Sequence, residues 1–315
     1  MSLSPLAPSE REALASDLLA TLAATVAGRS DLVMETHALQ HRCGRYDIAR
    51  VASRDLASGP LVLVQAGLHG DEKAGPLTFA RHLHDIVDYA HARGVKLIMF
   101  PLANPSGFDG NTRYNGDHDR GSAGNGDFLR YILADGSYAD ELPPAFAESA
   151  LPWCWSSDVD VALPAETKLM QALLRREPLA RIAAALDLHQ DCLTPGLGPC
   201  SYAYAFGDMR RYQGITSAVR AWVPLLADRV IGAGFGVEID GKGDAQRPQS
   251  SGAHPTSDAD GFLVRHDGSL TDLFFRLGAR HSVAVETSGA TPIDVACAVN
   301  LLWIKGMIDL VSRRG

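Results

Sequence analysis

The sequence predicts an α/β fold built around a parallel sheet, and three observations lead to this. Residues 61–66, LVLVQA, are apolar except for one glutamine, which is typical of a short strand buried on both faces of a parallel sheet. Glycines at 67 and 70 end this strand, and apolar residues then recur at helical spacing from about Lys73 to Ala92. A second apolar run, VKLIMF at 95–100, follows, so strand, helix and strand alternate along the chain.

The remaining elements continue this alternation. A helix is predicted from Ser9 to about Gly28, because Ser9 can cap it and Gly28 can end it. Two extended runs around Gly44 predict a hairpin at the edge of the sheet. Residues 121–165 are interpreted as a surface insertion. Further segments are predicted in order: a helix at 165–176, strands at 181–188 and 201–206, a helix at 208–228, loops at 232–267, a helix at 271–278, a strand at 282–286 and a helix at 292–311.

Composition limits the classes of protein to consider. With 315 residues, 46% apolar and 21% charged, the chain is an ordinary globular protein, and we expect a single domain over residues 1–315. The formal net charge of −8 and the absence of a dense Lys/Arg stripe argue against a nucleic acid or an anionic membrane as partner. No basic segment leads into an apolar core at the N-terminus, and no segment has eighteen uninterrupted apolar residues, so we expect a cytoplasmic protein.

Candidate functional residues follow the ends of three apolar strands. His69 and Glu72 lie three residues apart at a strand-to-helix corner, where an imidazole and a carboxylate can converge on one metal ion. His189 follows the run RIAAALDL and is a candidate third ligand. Glu286 ends a VAV run, where a buried carboxylate needs a partner, and a water activated by zinc would provide one. A histidine at the end of a strand can equally be a hydrogen-bonded structural residue.

The order of these motifs resembles the zinc carboxypeptidase family and its bacterial murein-peptide-amidase and succinylglutamate-desuccinylase/aspartoacylase relatives. The resemblance covers roughly residues 60–311 and is carried by a set of motifs: G-L-H-G-D-E, N-P-S-G, an arginine, D-x-x-R, D-L-H and V-E-T. It implies a three-layer α/β/α domain with a mixed, mainly parallel sheet of about eight strands that holds one Zn²⁺. The zinc ligands implied are His69, Glu72 and His189.

The resemblance also implies roles for three other residues. Glu286 corresponds to the general base, and Arg113 to the arginine that polarises the scissile carbonyl and stabilises the oxyanion. Asp117 corresponds to the aspartate that hydrogen-bonds the first zinc histidine.

The chain departs from the family at the substrate-binding positions. Where the family has D-x-N-R, this chain has Asp-His-Asp-Arg at 117–120, so Arg120 can still bind a carboxylate while Asp119 would repel one. No tyrosine occurs after Tyr212, although the family has one about twenty residues before the base. Arg265 or His266, in FLVRHDGSL, is expected to contact the substrate instead.

These residues predict a zinc-dependent hydrolase that cleaves an amide bond in a small peptide or a modified peptide. Two alternatives remain open. One is a deacylase of N-acyl amino acids, of the aspartoacylase type. The other is a non-catalytic protein that binds a metal or a ligand, against which the presence of both Glu72 and Glu286 argues.

Overall fold

The computed structural model describes residues 14–42, 44–117, 123–142, 151–194, 196–227 and 257–312, together with the backbone of two short paired strands. The strands of the main sheet are β1 (Leu32–His41), β2 (Gly44–Ser53), β3 (Leu61–Ala66), β4 (Lys96–Phe100), β8 (Ile182–Asp191), β9 (Ser201–Ala205), β12 (Phe262–Leu263) and β13 (His281–Ser288). The others are β5 (Leu129–Ile132), β6 (Tyr138–Ala139), β7 (Trp153–Trp155), β10 (Glu238–Ile239) and β11 (Ala245–Gln246).

The main sheet has eight strands in the order β1-β2-β4-β3-β8-β13-β9-β12. Of its seven neighbouring pairs, β3–β4, β3–β8, β8–β13 and β9–β12 are parallel and the other three are antiparallel. The prediction of a mixed, mainly parallel sheet is therefore confirmed. Every residue of β3 is buried, because this strand has a parallel neighbour on each side and helices over both faces.

The helices are α1 (Ala15–Ala27), α2 (Ala74–His91), α3 (Pro105–Gly110), α4 (Ala165–Leu174), α5 (Gln213–Arg220), α6 (Leu270–Arg276) and α7 (Ile293–Ser312). Within the described residues, short 3₁₀ turns occur at Ser156–Asp158, Leu179–Arg181 and Met209–Tyr212. Helices α1, α2, α5 and α7 bury their apolar sides in one core, and α4 and α6 contribute to a second core on the opposite face. These layers confirm the predicted three-layer architecture.

The segment expected to be a surface insertion contributes to the second core. Strands β5, β6 and β7 form a small antiparallel sheet, and Phe128, Leu129 and Tyr131 within or beside it are fully buried. The apolar side chains of this small sheet therefore help to fill the second core, and the insertion at 121–165 stays a prediction.

Helix α7 has an apolar composition that serves packing. Its mean hydropathy of 1.6 over an eighteen-residue window and its 20-residue length would allow it to cross a membrane, but half of that window is buried inside the protein. The helix packs along α2 and over the sheet. We interpret it as a core helix of a globular domain.

Several predicted boundaries shift. The first helix begins at Ala15, and residues 1–13 lie outside the described residues. The helix predicted at 208–228 is a 3₁₀ turn followed by α5, and the chain is no longer helical where it approaches Pro224. Strands β8 and β13 continue two residues beyond His189 and Glu286, because their mutual hydrogen-bond ladder extends to Asp191 and Ser288.

Candidate metal centre and active site

The turn between β3 and α2 brings an imidazole and a carboxylate together. The backbone N–H of Glu72 donates to the carbonyl of His69 over 3.3 Å, which closes the turn before α2 begins at Ala74. In this turn the Nδ1 atom of His69 lies 2.8 Å from Oε1 of Glu72. The spacing of three residues therefore places both side chains at one point, as the sequence predicted.

His189 completes this group from the neighbouring strand. Its Nδ1 atom lies 2.9 Å from Oε2 of Glu72, and the backbone N–H of Gln190 donates to the same oxygen over 3.1 Å. One ligand atom from each of His69, Glu72 and His189 lies within 4.8 Å of the others. Two imidazole nitrogens and a carboxylate oxygen are the donor set of many catalytic zinc sites, so these residues fit a zinc ion.

The charges in this group are strongly coupled. Burial alone would raise the pKa of Glu72, but the adjacent His69 and His189 hold that pKa well below its usual range. Burial, with help from the nearby Arg113 guanidinium, lowers the pKa of His69 to about 4. Burial also acts to lower the pKa of His189, but the carboxylates of Asp187 and Glu72 raise it well above the usual value. The lowered pKa of Glu72 favours its carboxylate form, which is the form that binds a cation.

Glu286 lies beside this group on the adjacent strand. It pairs in register with His189 across the parallel β8–β13 ladder, so both side chains project from the same face of the sheet. Its Oε2 atom is buried and has no hydrogen-bond partner among the described residues. Burial and the nearby carboxylates of Glu72 and Asp191 raise the pKa of Glu286 well above its usual value, although His189 and Arg113 oppose the shift.

Arg113 approaches from the loop after α3. Its Nη1 atom donates to Oε1 of Glu72 over 3.0 Å. The carbonyl of Arg113 accepts three N–H groups, from the backbone of Gly70 at 3.3 Å, from Asn104 Nδ2 at 3.2 Å and from Asn125 Nδ2 at 3.4 Å. The guanidinium therefore extends from a backbone position that is tied to the turn containing His69.

The motifs HGDE and NPSG meet at two glycines. A Cβ atom at Gly70 would lie 1.9 Å from the carbonyl carbon of Gly107, and a Cβ at Gly107 would lie 2.4 Å from Nδ2 of Asn104. Only glycine allows the two backbones to approach this closely. The side chain of Asn104 also caps α3, since its Oδ1 accepts the N–H of Gly107 over 2.9 Å. The two motifs are thus parts of a single packed structure.

A carboxylate that the sequence reasoning missed lies behind His189. Asp187, buried two residues earlier on the same face of β8, has its Oδ2 atom 3.1 Å from His189 Nε2. Gln65 Nε2 donates to the Asp187 carboxylate over 3.3 and 3.4 Å. A carboxylate that accepts the second N–H of a metal-binding histidine fixes the tautomer and the ring orientation. The strand period of two residues in D-L-H could have revealed it.

Asp117 does not have the position expected for it. Its carboxylate accepts the backbone N–H of Arg42 over 3.0 and 3.3 Å and lies 3.2 Å from Nδ1 of His41. The Nδ1 atom of His69, in contrast, faces Glu72. The expectation that Asp117 hydrogen-bonds His69 is therefore wrong in this structure. Its carboxylate instead contacts Arg42 and His41 at the end of the β1–β2 hairpin.

The expected substrate contacts are also corrected. His266 is buried, with Nδ1 3.1 Å from Asp272 Oδ1 and its ring against Phe206, so its observed contacts are with residues that pack the protein interior. Both guanidinium contacts of Arg265 to Glu141 are 3.0 Å long, so this cation already has an anionic partner. Asp119 and Arg120 lie outside the described residues.

The fold is a carboxypeptidase-like α/β fold, and the edge of its sheet holds the His–Glu–His group. Residues 58–128, which contain His69, Glu72 and Arg113, match the family described as the succinylglutamate desuccinylase/aspartoacylase catalytic domain. This match, together with the fold of the structural neighbours, confirms the family resemblance drawn from the motifs. Among curated proteins, no sequence matches the chain.

Solved structures share the fold over nearly the whole chain. A protein from Shewanella baltica, provisionally named a metallopeptidase, is 19% identical with a TM-score of 0.64, and the alignment covers 94% of this chain and 92% of that one. A protein of the same provisional name from Shewanella amazonensis is 20% identical, with a TM-score of 0.61 and the same coverage of both chains. A metallo-carboxypeptidase from Burkholderia cenocepacia is 12% identical with a TM-score of 0.52, covering 98% of this chain and 69% of that chain. At these identities the comparison shows the fold alone.

Proposed function

We propose that this protein is a zinc-dependent hydrolase that cleaves an amide bond in a small peptide or a modified peptide, in the cytoplasm. The observation that carries the proposal is the buried Oε2 atom of Glu286, which lies beside a His–Glu–His group and has no hydrogen-bond partner among the described residues. A buried carboxyl group without a partner costs free energy, and this cost is removed when a water or a substrate N–H occupies the space next to it.

His69, Glu72 and His189 would hold the zinc ion. When bound, zinc supplies a Lewis acid that lets a water molecule lose a proton near neutral pH. Glu286 would accept that proton as the water attacks the carbonyl carbon of the substrate, and would return it to the leaving nitrogen as the C–N bond breaks. Arg113 stays cationic and hydrogen-bonds the carbonyl oxygen, which gains negative charge in the transition state.

A second candidate, hydrolysis of N-acyl amino acids, is favoured by one specific observation. The segment that contains three of the proposed functional residues matches the succinylglutamate desuccinylase/aspartoacylase catalytic domain, whereas the neighbours named as peptidases share only the fold. Both reactions are amide hydrolyses and would use the same residues, so the distinction between them lies in the substrate.

The test is a hydrolysis screen of the zinc-loaded protein. Dipeptides, γ-glutamyl peptides of the murein type and N-acyl amino acids are offered in parallel, with release of a free amine as the readout. Cleavage of peptides supports the first candidate and cleavage of N-acyl amino acids alone supports the second. If no amide is cleaved while zinc is bound in equimolar amount, the proposed function is wrong.

The variant Glu286→Gln tests whether Glu286 acts as the general base and not as a zinc ligand. It keeps the shape of the side chain but removes the proton acceptor, so turnover should fall at least ~100-fold, the lower range for loss of general-base catalysis. Zinc content, measured by elemental analysis, should stay at the wild-type level. Retained turnover would show that another carboxylate activates the water.

A further inference from the structure

A second buried polar group lies beneath the loop that contains Arg113. We call it the Glu166 cluster, and its members are His41, Ser106, Asn115, Asp117 and Glu166. Of these residues, the family resemblance implies a role for Asp117 alone. None of these side chains belongs to the proposed metal-binding group.

Glu166 is the centre of the cluster. It lies in the first turn of α4, where a carboxylate is favoured by the helix dipole, and only 2% of its surface is exposed. Its Oε1 atom accepts the hydroxyl of Ser106 over 2.6 Å, and its Oε2 atom accepts Nδ2 of Asn115 over 2.6 Å. Each carboxylate oxygen therefore has a donor, as a buried carboxylate requires.

These contacts hold the backbone on the C-terminal side of Arg113. Asn115 is two residues after Arg113, and the backbone N–H of Gly116 donates to Oγ of Ser106 over 2.9 Å. The carbonyl of Arg113 is separately held by the N–H groups of Gly70 and Asn104. Arg113 is thus fixed on one side by the metal-site turn and on the other side by Glu166.

His41 joins the cluster to the β1–β2 hairpin. Its side chain is fully buried, with Nε2 2.8 Å from Glu166 Oε1 and Nδ1 3.2 Å from Asp117 Oδ2. The contacts are close but not aligned as hydrogen bonds, since neither ring nitrogen has a hydrogen-bond partner among the described residues. His41 therefore packs against the two carboxylates, while the directional contacts come from Ser106 and Asn115.

We propose that Glu166 is a positioning residue for Arg113, acting through Asn115 and Ser106 without touching the substrate. This inference rests on the proposed function, in which Arg113 stabilises the transition state. An error of about 1 Å in the placement of a catalytic group can cost about 100-fold in rate. Removal of Glu166 would leave the amide donor of Asn115 without its acceptor and Ser106 with only a longer contact, 3.4 Å, to Asn104 Oδ1. The segment after Arg113 would then shift to find other acceptors.

The kinetic test uses Glu166→Ala and the isosteric Glu166→Gln on a cleaved amide substrate. We expect kcat to fall about 10- to 100-fold in Glu166→Ala and less in Glu166→Gln, with KM within about threefold of wild type, because Arg113 acts mainly in the transition state. Zinc content should not change. The matched control is Glu177→Gln, which removes a buried carboxylate that pairs with Arg50 away from the site and should leave kcat unchanged. An unchanged kcat in Glu166→Ala would overturn the proposal.

A double-mutant cycle distinguishes positioning from a general loss of structure. If Glu166 acts through Arg113, then Glu166→Gln combined with Arg113→Lys should lower kcat by little more than Arg113→Lys alone. Losses that multiply would show that Glu166 acts independently of Arg113, and they would overturn the proposal.

Amide hydrogen exchange of the metal-free protein supplies a readout that does not depend on activity. In Glu166→Gln, the Gly116 and Gly70 amides should exchange at least about tenfold faster, while amides in β3 keep their protection. If the wild-type protein cleaves no amide, the proposed function fails, and the exchange data alone decide whether Glu166 orders the Arg113 loop. Unchanged exchange at both glycines would overturn the proposal.

Discussion

Two buried groups of this protein use the same residue types in opposite proportions. In the proposed metal-binding group, one carboxylate (Glu72) lies between two imidazoles, those of His69 and His189. In the Glu166 cluster, one imidazole (His41) lies between two carboxylates. The first lies at the carboxyl edge of the sheet and the second lies beneath a neighbouring loop.

This difference shows that hydrogen-bond partners, more than residue types, distinguish a reactive site from a structural one. Both oxygens of Glu166 accept donors from Ser106 and Asn115, so the carboxylate at the centre of the cluster has its hydrogen-bond partners. Beside Glu72, in contrast, Oε2 of Glu286 has no partner among the described residues, so this group still has hydrogen-bonding capacity to offer. A buried polar group whose atoms have hydrogen-bond partners adds rigidity, whereas a buried polar atom without a partner can bind a water molecule or a substrate.

The largest effect is expected from removing an imidazole in each group. His69→Ala or His189→Ala should abolish zinc binding, because two remaining ligands rarely hold zinc tightly. His41→Ala should keep about one equivalent of zinc, although it lowers stability. Elemental analysis after dialysis measures this contrast. Equal zinc content in all three variants would contradict the assignment of the metal-binding group.

The contact between the two motifs can be tested through Gly70. The variant Gly70→Ala places a Cβ atom 1.9 Å from the backbone of Gly107, which must then move. We expect the free energy of unfolding to fall by about 3 kcal/mol, the upper range for overpacking, with loss of zinc affinity as well. Gly124→Ala is the control, since a Cβ there meets no atom within 4 Å. Equal midpoints of chemical unfolding in both variants would show that the close approach is not required.

An intermediate effect is expected behind the metal-binding group. Asp187→Asn keeps the size of the side chain but weakens the acceptor next to Nε2 of His189. Zinc affinity should fall about 10- to 100-fold, the usual range for loss of such a partner. Competition with a chromogenic chelator measures this affinity. Unchanged affinity would mean that the β8 backbone alone orients His189.

The smallest effect is expected for Asp117→Asn. Since the carboxylate of Asp117 contacts Arg42 and His41 rather than His69, zinc affinity should stay within about twofold of wild type. The same chelator competition, run beside Asp187→Asn, measures it. A loss as large as that of Asp187→Asn would restore the role that the family resemblance assigns to Asp117.

The sequence alone determined the elements that depend on local pattern. The apolar run at 61–66 predicted the central strand because a strand buried on both faces must be apolar throughout. His69, Glu72, His189 and Glu286 could be selected as candidates because polar residues that follow apolar strands share one edge of a parallel sheet. Arg113 was found only through the family resemblance, since an arginine in a glycine-rich loop has no local pattern that distinguishes it.

Tertiary structure decided the partners of these residues. Ser106 and Asn115 are 60 and 51 residues from Glu166 in sequence, so no local pattern could join them. For the same reason Asp117 was assigned to the wrong histidine and His266 was expected to face a substrate. Local sequence sets which surface of an element is apolar, but the partner of a buried polar group is whichever donor or acceptor the packing of distant elements brings within about 3 Å of it.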